Sequence, residues 1–197
     1  DVLGIDPREI VRTDPKPNTS DFEPNYFATI EFDRPDFPWL FTPAKAGTNQ
    51  RLRPWLCLVV VEKRDGVSIS NGIDSPLPVL STPVDELPDL SESWAWAHTQ
   101  VSGTQAEVQA ALRGTSDRSL SRLIAPRILQ PHTEYIACVV PTFELGRKAG
   151  LGLEIKEAEI VSPNALQPAW TSDSAATVTL PVYYHWQFRT GKDEDFE

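Results

Sequence analysis

Two apolar runs constrain this chain more than any other feature. Residues 55–62 (WLCLVVVE) and 133–141 (TEYIACVVP) are almost purely apolar in their middles, so an extended segment there is apolar on both faces. Such a strand is stable only with a layer packed on each side. Each run carries one cysteine, Cys57 or Cys138, in a matching position, which suggests that the two strands are neighbours in one sheet. Both thiols are expected to be buried strand residues, with an interstrand disulfide as the alternative. Neither has a second Cys or a His at ligand spacing, so a zinc site is not expected. The first run ends at the turn-like Lys63-Arg64-Asp65-Gly66, which suggests a hairpin with residues 67–70.

The rest of the chain is punctuated rather than periodic. Its 197 residues include 18 prolines, which disfavours long helices and favours long loops. Residues 1–24 hold acids, prolines and isolated apolar residues, and are expected to be an extended arm or linker that needs a neighbour to order it. Residues 25–197 then make a single globular domain. Strands are expected at 26–32, 55–62, 94–101, 133–140 and 176–189, the last alternating without a slip. Pro181 lacks an amide donor, which places that last strand at an edge or gives it a bulge, and an edge this apolar invites pairing with another chain. Helices are expected at 103–113, at 118–124 and, briefly, at 143–151, while residues 71–90 read as loop. The predicted fold is α+β and β-dominated: an antiparallel sheet or sandwich with one or two short helices and long Pro-rich loops.

Charge and motifs narrow the function classes. The formal net charge of −10 repels phosphate backbones, so nucleic acid is not an expected partner. The longest clean apolar run, 56–61, is far shorter than the ~20 residues of a membrane-spanning helix. A soluble protein is expected, cytoplasmic or part of a particle. No nucleophile elbow, zincin, phosphate-loop, dinucleotide or Cys-x-x-Cys pattern occurs. No catalytic residue, metal or cofactor is therefore assigned. The three histidines, His98, His132 and His185, would have to be gathered from separate elements to make a site. The candidate binding residues are Trp39, in the aromatic loop DRPDFPWLFTP, Trp94 and Trp96 on one face of their strand, and Tyr183 and His185 on the last strand.

Several stretches together carry a resemblance: RPDFPWLFTPA (34–44), RPWLCLVVVE (53–62), ELPDLSESWAWAH (86–98), APRILQPHTEYIACVVPTFELGRKAGLG (125–152), and LPVYYHWQFRTG with DFE (180–197). They are similar to segments of long bacterial proteins, some of them associated with phage-tail-like contractile injection particles. The resemblance spans most of the chain and brings no catalytic residues. It implies that these residues are the leading part of a longer polypeptide, in keeping with a sequence that contains no methionine. The expected role is a non-enzymatic structural or adaptor module, docking other subunits, the rest of its own chain or a second copy through the arm, the Trp39 loop and the strand near Tyr183. The alternatives are a carbohydrate-binding or adhesion module that uses Trp94 and Trp96, and a hydrolase with a site around His98 or His185.

Overall fold

The computed structural model describes residue 2 and residues 4–104, 107–109 and 119–193. The fold is α+β and β-dominated, with three antiparallel sheets. β1 (Ile10–Asp14) and β2 (Thr29–Phe32) share a four-stranded sheet with β6 (Ala97–Gln100) and β7 (Leu120–Ile124), in the order β1-β2-β7-β6. A central sheet has the order β10-β8-β3, where β3 is Leu56–Glu62, β8 is Glu134–Pro141 and β10 is Tyr184–Arg189. The third sheet, β4-β5-β9, is built from Ser68–Asn71, Pro78–Pro83 and Thr177–Pro181.

The central sheet explains the two apolar runs. β3 and β8 pair antiparallel, with Val59 opposite Cys138 and Cys57 opposite Val140. Alternate residues feed different cores. Leu56, Leu58, Val60, Tyr135, Ala137 and Val139 join Ile30, Phe32 and Leu123 of the four-stranded sheet in one cluster. Cys57, Val59, Val61, Ile136, Cys138 and Val140 join Leu80, Val178 and Leu180 of the third sheet in the other. A strand that serves two cores has no position left for a polar residue, which is why the runs are continuous.

Both cysteines are free and fully buried, so no bridge joins them. Burial pushes both thiols well above their ordinary value. A thiol reagent is expected to find no reactive cysteine in the native protein and two after denaturation without reductant; reaction of either thiol before unfolding would contradict this packing.

Other expectations are corrected. The last strand is two strands, because the chain leaves the third sheet after Pro181 and enters the central sheet at Tyr184. The Val182 amide still bonds the Pro78 carbonyl (2.8 Å), whereas the Tyr183 amide already bonds Val139 (2.9 Å). The period-2 alternation holds on either side of the junction but not across it, where Leu180, Pro181, Val182 and Tyr183 are all buried; Val178 and Leu180 serve the second core and Trp186 and Phe188 the first. Residues 120–124, expected to be helical, form β7, whose Leu123 is wholly buried. The loop expected at 71–90 contains β5, a central strand of the third sheet with prolines only at its ends. β4 pairs with β5 and not with β3, so the expected hairpin is replaced by a step between sheets. The helix expected at 103–113 lies largely outside the described residues, of which 107–109 are helical. The brief helix expected at 143–151 is present as α1 (Glu144–Leu151), capped by Gly152 in the left-handed conformation (φ 71°), where glycine carries no Cβ penalty. A one-turn helix, α2 (Glu157–Ile160), follows.

Both edges of the central sheet are covered from within the chain. Along β10, residues 18–22 exchange backbone bonds with 187–191: the Asn18 amide with Gln187, Arg189 with Thr19, Phe22 with Arg189 and Gly191 with Phe22. Along β3, two side chains take the place of a strand. The Glu86 carboxylate accepts the Glu62 amide (2.9 Å), and the Arg127 guanidinium donates to the Val60 carbonyl (3.1 Å) and to Glu86. Strand addition at β10 between Gln187 and Gly191 is therefore occupied by the chain itself. The segment expected to be an arm lies against its own domain, with β1 paired to β2 and Phe22 packed edge-on against Phe188.

Candidate docking groove

Three of the segments singled out in the sequence meet in one place. The residues from Phe37 to Trp39 form a single 3-10 turn, pinned by Trp55 at the start of β3. The Trp55 amide bonds Pro38 (2.8 Å) and its indole nitrogen donates to the Phe37 carbonyl (2.7 Å). Rings then extend outward from the core. Phe32 stacks on Phe37 at 4.5 Å, Phe37 meets Trp55 at 5.9 Å, and Trp55 meets both Phe41 (5.2 Å) and Tyr183 (5.3 Å) edge-on. Phe41 is 54% exposed. It lines a groove of about 520 Å³ shared by the arm (Val2), the loop (Phe41, Pro43), the strand junction (Tyr183) and α1 (Leu145, Ala149), together with Ile155 and Ile160.

The groove's character follows from these residues. Tyr183 is buried among aromatic rings, and burial pushes its phenol above the ordinary value. It stays neutral across the physiological range. Ile160 is 60% exposed, on a helix too short to bury it against the body. α1 is held by Arg147, which donates to the Thr179 carbonyl (2.9 Å) and to Glu144 (2.9 Å). Gly150 lies so close to Pro181 that an added Cβ would sit 2.5 Å from its ring. The wall of the groove is therefore set by close backbone packing.

The remaining candidates are separated. Trp39 is half-buried, donates to the Leu52 carbonyl (3.2 Å) and lines an open cleft with Trp94, Arg51 and Thr99. The Arg51 guanidinium covers the Trp94 ring at 4.0 Å. Trp94 and Trp96 do not share a strand face: residues from Leu90 to Ala95 form a 3-10 helix, β6 begins at Ala97, and Trp96 packs on the second core. The expected double-Trp platform is thus not formed, because a 3-10 turn rotates successive side chains by roughly 120° where a strand would alternate them. His185 is exposed on the outer face of β10, opposite Cys138 in register, and His98 is exposed on β6 in a different sheet.

The tryptophans are expected to divide in mutagenesis. Trp55→Ala and Trp170→Ala, each removing a buried ring with a bonded indole, should cost about 3–5 kcal/mol in urea unfolding. Trp94→Ala should cost roughly 1 kcal/mol, the scale of an exposed cation–π contact with its stacking. A Trp94 variant as unstable as the Trp55 variant would show that its ring is a core element.

Among the described residues, no group of three or more His, Cys, Asp or Glu is placed to hold a metal ion. No described helix is long and apolar enough to cross a membrane. Compared with known protein families, with curated proteins and with solved structures, the chain shows no match.

Proposed function

We propose that this chain is a non-enzymatic adaptor module of a larger bacterial assembly, one that docks a segment of another protein subunit in the groove between the Trp39 loop and α1. The observation that carries the reading is the pair Phe41 and Ile160, large apolar side chains more than half exposed at the rim of an apolar groove. Burying such a side chain yields about 1.5–3 kcal/mol. Exposed apolar surface around a concavity marks an interaction site more often than a bare surface does. The groove's volume lies within the roughly 300–1,000 Å³ of ordinary binding pockets. The net charge of −10 favours a partner segment with basic flanks, which long-range attraction would steer to the site. The resemblance to proteins of contractile injection particles supports the same reading, since such particles are built by docking subunits.

A photoreactive amino acid placed at position 41 or 160 in the intact protein, within its native cell, tests this. Both positions are expected to yield an adduct with one and the same protein segment, apolar in the middle and flanked by Lys or Arg. Position 173, on an exposed turn away from the groove, should give none. Adducts that match from all three positions, or none from 41 and 160, would overturn the proposal.

A further inference from the structure

A second concavity, independent of the docking groove, lies beneath the loop that precedes β6. It has a volume of about 600 Å³ and is bounded by residues 84–93 on one side and by 142–143 and 168–172 on the other. Its walls are apolar, from Leu87, Leu90, Phe143 and Trp170. The Trp170 indole is already bonded to the Pro88 carbonyl (2.8 Å), so the wall is rigid and offers that donor to nothing else.

Two other groups at the cleft differ in access: the Arg53 guanidinium has no acidic partner among the described residues, and the Ser93 hydroxyl is sealed beneath the surface. Ser93 is 1% exposed, and its hydroxyl has no hydrogen-bond partner among the described residues. A buried hydroxyl in that state is destabilising, and being closed to solvent it offers the cleft no donor. Arg53 is half-buried with its guanidinium over the Phe143 ring at 4.9 Å. Its hydrogen bond to the Leu166 carbonyl is long, 3.5 Å, and it has no ion pair among the described residues. Stacking fixes the plane of a guanidinium and leaves its N–H edge free for two parallel bonds. The two carboxylates of the cleft are exposed and already engaged. Asp89 accepts the Ser91 amide (2.9 Å), and Asp85 stands 3.8 Å from Arg64.

We infer that this cleft binds a carboxylate carried on an apolar body, with the Arg53 guanidinium as donor to the carboxylate and Leu87, Leu90 and Trp170 around the body. Two sources present that chemistry: a free small acid and the C-terminal end of a peptide. Both use the same donor. The apolar body supplies affinity, while the cation selects an anion over its neutral analogue.

Titration calorimetry on the intact protein tests the assignment with named probes: hexanoate and indole-3-acetate as free acids, the tripeptide Gly-Gly-Leu as a chain end, and the amide of each. At least one acid is expected to bind with one-to-one stoichiometry, and its amide at least about tenfold more weakly. Arg53→Gln should reduce the acid's affinity by a similar factor and leave the amide's unchanged. Binding by hexanoate or indole-3-acetate alone assigns the site to free acids, and binding by the tripeptide alone assigns it to chain ends. If no acid binds saturably, or if acid and amide bind alike, the inference is wrong. The acid–amide comparison uses the unsubstituted protein, so the result stands even if Arg53→Gln fails to fold.

Discussion

Glu86→Ala is expected to lower the free energy of unfolding by about 3–5 kcal/mol, the cost of leaving a buried charge without its partner. Glu86 is held by three donors: the Glu62 amide, Arg64 at 2.9 Å and Arg127. Its side chain is 5% exposed and that of Arg127 is 27% exposed. Without the carboxylate, Arg127 remains beside Val60 with only a carbonyl and the Tyr135 ring, 5.4 Å away, to face. Arg127→Ala should cost a similar amount, and the double variant less than the sum, because one interaction is counted in both single changes. Arg64→Ala should cost no more than about 1 kcal/mol, since that side chain is 42% exposed. Urea unfolding followed by tryptophan fluorescence measures all four. Equal effects of Arg64 and Arg127 would show that the network acts as a surface feature.

The same carboxylate sets a pH dependence. Burial alone would raise its pKa, but the bonds from Arg127 and the Glu62 amide outweigh burial and hold it below the ordinary value of 4.5. The unfolded chain therefore binds a proton here before the folded one does. The stabilisation is complete above pH 4.5 and is lost as the pH falls from there through the lower folded value. Stability measured from pH 7 to pH 3 should fall less steeply in Glu86→Gln than in the natural protein. Parallel curves would remove Glu86 from the acid transition.

Deleting residues 1–24 is expected to make the protein self-associate more strongly. Three supports disappear together: β1, the backbone bonds of residues 18–22 to β10, and the ring of Phe22 against Phe188. Phe22→Ala alone should cost about 3–5 kcal/mol. The truncated chain presents an uncovered edge on β10 and another on β2, and such edges template pairing with a second copy. Light scattering during size exclusion should report dimers or larger species. A truncated monomer with unchanged melting would show that residues 1–24 are a dispensable linker.

Much of the fold was legible where burial acts on whole segments. β3 and β8 are apolar on both faces because both faces are covered, and that condition writes itself into consecutive residues. β5 and β7 were hidden for opposite reasons. The prolines at the ends of β5 imitate a loop, although only its interior amides are needed for the ladder. In β7, one of the two wholly buried side chains is Ser121 rather than an apolar residue, so the alternation of burial with Leu123 is not written as alternating hydrophobicity. The break between β9 and β10 showed in the sequence only as the irregularity at Pro181, because alternation records which side of the chain is covered and not which layer covers it. For the groove, the loop aromatics and Tyr183 stood out as large side chains in unusual settings. Ile160 did not, since its exposure depends on α2 being only one turn long.

The bonds that tie residues 18–22 to 187–191 join segments separated by nearly the whole chain. During synthesis, the earlier partner leaves the ribosome long before the later one exists. The central sheet cannot complete its outer margin until translation has passed Gly191, so the edge partner supplied by residues 18–22 waits for a segment made far later than itself. A ribosome stalled before that point would hold a nascent chain with an unpaired strand, a natural client for chaperones that recognise extended segments.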